Sequence, residues 1–314
     1  MIAHGPLRFM LLAIGTVFLL AVPFVLNDYP QTLVTEILIF GLFAVSIDIL
    51  AGFAGRVSLG HGAIFGMSSY IVAYYVASMG GSPWIGAVLG ILGATVLAAI
   101  FGLLAARTSG VYFLLLTLAL GMVIWGVAYR WTSVTGAENG ILGVSRPDLV
   151  AHNDHFYYFV LGTVAVTMYV VRRFVHSPFG MALTGIKESP SRMRTLGYNV
   201  PWMLAIGFTV SGFFAGVAGV LGVFLNNFIS PTSLDVGHST LGLLMAILGG
   251  IGTIWGGFVG AAVIILLENF ISFYTERWAS ILGVLFILTM LFAPQGLVGM
   301  AKQLANRRAR RRNA

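Results

Sequence analysis

The chain has 314 residues, 58% hydrophobic and 9% charged, with a mean hydropathy of +0.95. A soluble domain carries about 25% charged residues, so a water-soluble globular fold is excluded. Long apolar runs of roughly 20 residues without strand-like alternation indicate spanning helices rather than a β-barrel. The formal charge is +7 and cysteine is absent, which excludes a disulfide framework and thiolate chemistry.

In chain order, hydropathy places spans near 7–26, 33–51, 61–78, 84–105, 110–129, 156–173, 202–225, 239–251, 254–271 and 279–293. Ala21-Val22-Pro23 is a poor cleavage site, so the first run reads as a retained span rather than a signal peptide. The eighth is short and glycine-bounded, as in a broken or re-entrant helix, which is tolerated only inside protein or beside a water-filled cavity. The expectation is an all-α integral membrane protein of about 10 transmembrane helices, one domain over residues 1–300 and a basic tail over 301–314.

Lys and Arg set the orientation. With the N-terminus inside, the cytoplasmic side collects Arg8, Arg56, Arg107, Arg172, Arg173, Lys187, Arg192, Arg194, Lys302, Arg307, Arg308, Arg310, Arg311 and Arg312. Only Arg130, Arg146 and Arg277 fall outside, so both termini are expected in the cytoplasm. Asp28, Glu138, Asp148, Asp154, Asp235 and Glu276 lean to the exterior. The tail reads as an anchor on anionic lipid, not as a nucleic-acid site.

The polar cytoplasmic loop, 174–201, holds two matched helix signals, Ser177-Pro178 running to Gly185 and Ser189-Pro190 running to Gly197. Serine is a preferred N-cap, proline suits the first helical position, and glycine supplies a left-handed C′ residue. The second helix, 190–196, carries Arg192 and Arg194, with Met193 and Leu196 three apart on one face. With Lys187, Glu188, Ser189 and Pro190 leading into it, it is expected to dock a partner protein.

No G-x-x-x-x-G-K-[ST] loop exists, so any ATP use falls to another subunit. H-E-x-x-H is also absent, and no histidines cluster with carboxylates at metal-ligand spacing. No catalytic residue or metal ligand is assigned, and no cofactor is expected on this chain. Asp48 precedes Arg56 by eight residues, and an ion pair or interfacial solvation is favoured over a proton relay. Glu36 lies near the outer end of its span; Glu268 is deeper and is the leading intramembrane carboxylate, weighed against a hydrogen bond to a neighbouring helix. His61, between Gly60 and Gly62, reads either as a packed, satisfied imidazole or as a pathway wall. Ser58, Gly60, His61, Thr117, Gly249, Gly250 and Glu268 form the candidate pathway set. The external loop 130–155 offers Thr135, Gly136, Glu138 and Asn139 as turn chemistry or as contacts for a soluble delivery protein.

A weak internal echo joins Val57-Ser58-Leu59-Gly60-His61-Gly62-Ala63 to Leu234-Asp235-Val236-Gly237-His238-Ser239-Thr240. A Gly-Gly/Trp/Gly stretch follows each, at residues 80–87 and 249–256. The matched pairs fall on opposite faces, as in an inverted repeat. Chance similarity of glycine-rich spans is the competing explanation.

Several of these segments resemble the LivM-type permease family of branched-chain amino-acid ABC importers, over roughly residues 35–300. Residues 52–63 are similar to its G-x-x-G-x-x-S-L-G-H segment, and Arg107–Phe113 with Thr117-Leu118 to its R-x-x-G-x-Y-F…T-L run. Thr135–Gly140 resembles the external T-G-G-x-x-G, with Ala137 in place of a glycine. Leu248–Thr253 and Pro294–Leu297 resemble its late motifs. The resemblance implies a short coupling helix in the loop, with Gly197 matching a family glycine. It also implies a second, related permease chain, two ATPase subunits carrying ATP and magnesium, and a soluble extracytoplasmic binding protein that does most of the selecting. The expected function is import of branched-chain, hydrophobic amino acids across a bacterial inner membrane by alternating access. A permease of the same family for urea or short amides stays open, as does a proton-coupled secondary transporter.

Overall fold

The computed structural model describes residues 15, 19–272, 274, 278–292 and 295–300. Most of the predicted first span, together with Arg8, Glu276, Arg277, Pro294, Lys302 and the basic tail, lies outside these residues. Helices account for nearly all regular structure: α1 (Asp28–Asp48), α2 (His61–Ala73), α3 (Pro83–Ala105), α4 (Val111–Arg130), a turn of helix α5 (Thr132–Thr135), α6 (Asn153–Val175), α7 (Pro178–Glu188), α8 (Pro190–Thr195), α9 (Val200–Asn226), α10 (Val236–Gly249), α11 (Gly256–Ser272) and α12 (Trp278–Phe292). Two-residue strands β1 (Ile141–Leu142) and β2 (Phe228–Ile229) pair antiparallel, Ile141 opposite Ile229.

Five helical segments are long and apolar enough to cross a membrane: 28–54, 83–105, 111–130, 153–175 and 200–226. The first of these is α1 prolonged by a π turn, Ile49–Ala54. The α2 helix likewise ends in a π turn, Tyr74–Ser78. Predicted spans from the second onward each coincide with a helix to within a few residues, and α10 and α11 are the shorter apolar ones.

The longest helix, α9, packs along α1, α2 and α3 in the interior. Small residues let these backbones approach, as expected where lipid offers no hydrophobic drive between helices. A Cβ on Gly216 would lie 2.7 Å from that of Ala94 on α3, so even alanine would force the pair apart. By contrast α4 buries only Phe113, Thr117, Gly121 and Ala128, one narrow stripe of its length.

The order of elements agrees with a repeat, but the two echo segments do not lie on opposite faces as expected: they meet in the interior. Long helix α1, a non-helical link, α2, a glycine turn and α3 are mirrored by α9, a link, α10, a glycine turn and α11. The two short helices begin against each other, Gly62 N donating to Ser239 Oγ at 2.8 Å. They then run apart. The far end of α2 meets Trp131 and Thr135, whereas the far end of α10 reaches Gly252, which bonds Asp48 beside the 174–201 loop. Their shared starting point is interior: His61 stands 2.7 Å from Ser211, near the middle of α9.

Candidate functional site

The 174–201 loop folds as two capped helices. Ser177 Oγ accepts from Gly180 N, opening α7, and Ser189 Oγ accepts from Arg192 N, opening α8. Gly197 takes φ +88°. Tyr198 N bonds Met193 O (3.1 Å) and Gly197 N bonds Arg194 O (3.0 Å), a Schellman closure. Two details differ from expectation. Gly185 caps nothing: α7 runs through it to Glu188. Its lack of a side chain instead seats Met193, whose Sδ would lie 2.8 Å from a Cβ there. Met193 and Leu196 are not buried together either: Met193 is 8% exposed and Leu196 66%.

This helix pair touches the core through Lys187, whose Nζ donates to Gly52 O at 2.7 Å within the π turn after α1. Asp48, one turn earlier and 3% exposed, accepts from Gly252 N at 2.8 Å. The expected partner of Asp48, Arg56, is not its hydrogen-bond partner. Arg56 is half-buried beside Arg194, and burial followed by that like charge holds its pKa below the ordinary value. One face therefore joins Lys187, Arg56, Arg194 and the glycine turn Gly249–Gly256. Gly250 and Gly252 both need positive φ (+123° and +78°), so the turn is written into glycine.

At the centre, hydrogen bonds fix the state of His61. Ser211 Oγ donates to Ser46 O at 2.5 Å, so it accepts from His61, whose Nε2 carries the hydrogen. Nδ1 then accepts from Ser58 Oγ at 3.2 Å, and Ser58 accepts from Gly60 N. Every polar atom is used, and the ring is neutral and fully buried, linking α1, α2 and α9. Thr117 Oγ1, also buried, accepts from Leu59 N at 3.2 Å. Of the candidate pathway set, Ser58, Gly60, His61, Thr117, Gly249 and Gly250 are thus buried within this chain, and Glu268 is half-buried on α11 near Glu36 of α1. Ser46 and Ser211 carry the network and were not singled out from sequence; hydroxyls within apolar helices were the available signal.

On the opposite face, Thr135 is buried and its hydroxyl bonds Ala128 O and Trp131 O, while Glu138 and Asn139 are exposed. Gly136 and Gly140 both take positive φ, and Ala137 adopts φ +49° between them. Arg146 holds the end of α9, donating to Phe224 O (2.7 Å) and Leu225 O (3.1 Å), with Asn153 Oδ1 at 2.9 Å and its guanidinium over Phe156. Burial lowers the pKa of this arginine from its ordinary value. Among the described residues no cluster of His, Asp and Glu could hold a metal ion.

Residues 29–293 match a family described as branched-chain amino acid transport system / permease component. The chain is 25% identical over 313 residues to the high-affinity branched-chain amino acid transport system permease proteins LivM of Salmonella typhimurium LT2 and Escherichia coli K12, covering 91% of this chain and 74% of each relative. Against permease protein LivH of Escherichia coli K12 it is 26% identical over 288 residues, 83% of this chain and 91% of the relative.

Proposed function

Because this chain is a multi-pass membrane protein belonging to the branched-chain amino acid transport system permease component family, we propose that it is the membrane-spanning subunit of an ABC importer for branched-chain, hydrophobic amino acids. The basic face, with Arg56, Lys187 and Arg194, is then cytoplasmic by the positive-inside rule, and both termini lie there. A bacterial inner membrane is the location this implies.

The observation that carries the mechanism is the clasp between the capped loop and the core, Lys187 Nζ on Gly52 O. In this reading α8 and the approach to it, residues 187–197, seat in one of the two ATPase subunits that bind ATP and magnesium. Arg192, Arg194 and the protruding Leu196 meet the ATPase, while Met193 fastens the helix to α7. A displacement of α7–α8 reaches the π turn directly and the 249–256 turn through Asp48, reopening the pathway on alternate faces. A related permease chain completes the pathway, and a soluble binding protein docks near Glu138 and Asn139 on the other face. The buried His61–Ser58–Thr117 set shapes the pathway from behind its wall. Selection rests chiefly with the binding protein, so urea or short amides are the alternative substrates within the family.

The test is uptake of leucine, isoleucine, valine and urea into liposomes holding this chain with its permease, ATPase and binding-protein partners. Uptake that requires ATP and all partners is the expected result. ATP-independent uptake by this chain alone would overturn the reading in favour of a secondary transporter.

A further inference from the structure

Three cations converge where the α7–α8 pair meets the core, and two of them lack a counter-charge. Lys187 is spent, its Nζ donating to Gly52 O. Its stem fills the space that a side chain at residue 55 would need: a Cβ on Gly55 would lie 2.8 Å from Lys187 Cγ. Gly55 takes φ +67°, which glycine adopts readily. The link after the π turn therefore bends there and delivers Arg56 against the end of α7. Helix α8 rests on the same support, with Met193 seated on Gly185, and it carries Arg194.

Arg56 and Arg194 thus stand close enough to feel each other's charge. Among the described residues neither guanidinium has a hydrogen-bond or ion-pair partner. Asp48 is buried with its carboxylate on Gly252 N, and Glu188 is exposed and pairs with neither arginine. Arg56 is half-buried, yet its guanidinium nitrogens are not sealed from the surface. An arginine on a merely solvated face would swing clear of a like neighbour. One held half-buried beside it carries a standing cost, which an anion placed between the two removes.

The chemistry of the pair narrows that anion. A guanidinium is a planar fork of donors, matched bidentately by a carboxylate or a phosphate. Arg194 lies on α8, the exposed helix that the importer reading seats against an ATPase subunit. A pair of cations presented to a protein surface fits an acid on that surface.

We infer that Arg56 and Arg194 together form a receptor for one Asp or Glu side chain of the ATPase subunit. The ATPase then grips the link between α1 and α2 directly, as well as through α8. This rests on the importer reading and adds to it a contact outside residues 187–197.

The complex is to be purified with its own ATPase, and ATPase affinity measured for the native chain, Arg56→Gln and Arg194→Gln. Arg172→Gln, which removes an exposed cation at the end of α6, is the control. Affinity should fall at least about tenfold in the first two variants and hold in the control. The fall should be the same in detergent and in nanodiscs with or without phosphatidylglycerol. A fall confined to phosphatidylglycerol nanodiscs would overturn the inference, reassigning the pair to a lipid phosphate. An equal fall in Arg172→Gln would overturn it in favour of bulk charge. Undiminished affinity in both variants would overturn it and leave the importer reading intact, whereas a native chain that binds no ATPase would remove both. Arg56→Lys and Arg194→Lys keep the charge and serve if the glutamine variants do not fold. In these a carbodiimide should join position 56 or 194 to an ATPase carboxylate as an amide, the carbodiimide taking up the water lost. Absence of both crosslinks would also overturn the inference.

Discussion

Gly62 donates its backbone N–H to Ser239 Oγ at 2.8 Å, and the two residues hold the same position in the two copies of the internal echo. The contact joins the halves where both short helices start. It also explains the glycine: a Cβ on residue 62 would lie 2.6 Å from that hydroxyl.

Replacing Ser239 by alanine leaves an N-terminal helix donor buried without a partner. The expected loss is about 1–3 kcal/mol, read as a lower thermal midpoint in detergent. An unchanged midpoint would mean the hydroxyl contributes nothing to joining the halves.

His61→Phe and Ser211→Ala should each destabilise by about 1–3 kcal/mol, because each strands a buried polar group. Both remove the same hydrogen bond, so the double variant should lose less than the sum, with a coupling of about 0.5–3 kcal/mol in a double-mutant cycle. Strict additivity would contradict a hydrogen bond between His61 and Ser211.

Ala137→Gly is expected to stabilise the chain. The alanine stands at φ +49°, where a Cβ costs roughly 1 kcal/mol. The gain should appear in unfolding and as slower amide exchange across residues 132–140.

In the assembled importer, Gly185→Val should lift Met193 off α7 and reduce ATP-dependent leucine uptake while α6 and α9 stay folded. Joint substitution of Arg194 and Gly197 should leave ATP hydrolysis running without uptake. Transport at the unmodified rate in both would remove the loop from the coupling role.

Glu268→Gln separates an importer from a proton-coupled carrier. Glu268 faces the α1–α11 seam near Glu36 rather than the central network, so uptake should fall little. Collapse of uptake together with its dependence on a proton gradient would favour the carrier.

Helix positions were legible because apolar run length and serine–proline–glycine punctuation act locally. Ser189 and Gly197 cap a helix whatever surrounds them. Gly185 misled for a related reason: glycine signals both a left-handed cap and a socket, and only the return of Met193 distinguishes them. Asp48 read as an ion-paired or solvated carboxylate, and neither its burial nor its partner was legible, since Gly252 is 204 residues away and offers only a backbone N–H. The same holds for Ser46, Ser58, His61 and Ser211, which come from separate helices and links and meet only after packing. Arg146 looked like an external charge, and its use as a cap for α9 became visible only once β1 met β2.

The Lys187–Gly52 bond has a mechanical corollary. One ammonium group is hooked on one carbonyl in a stretch of backbone already wound wider than an α-helix. Such a spot yields more easily than the rods on either side of it. A tug of an ångström or two on that hook would be spent in rewinding the turn, leaving the long helices upright.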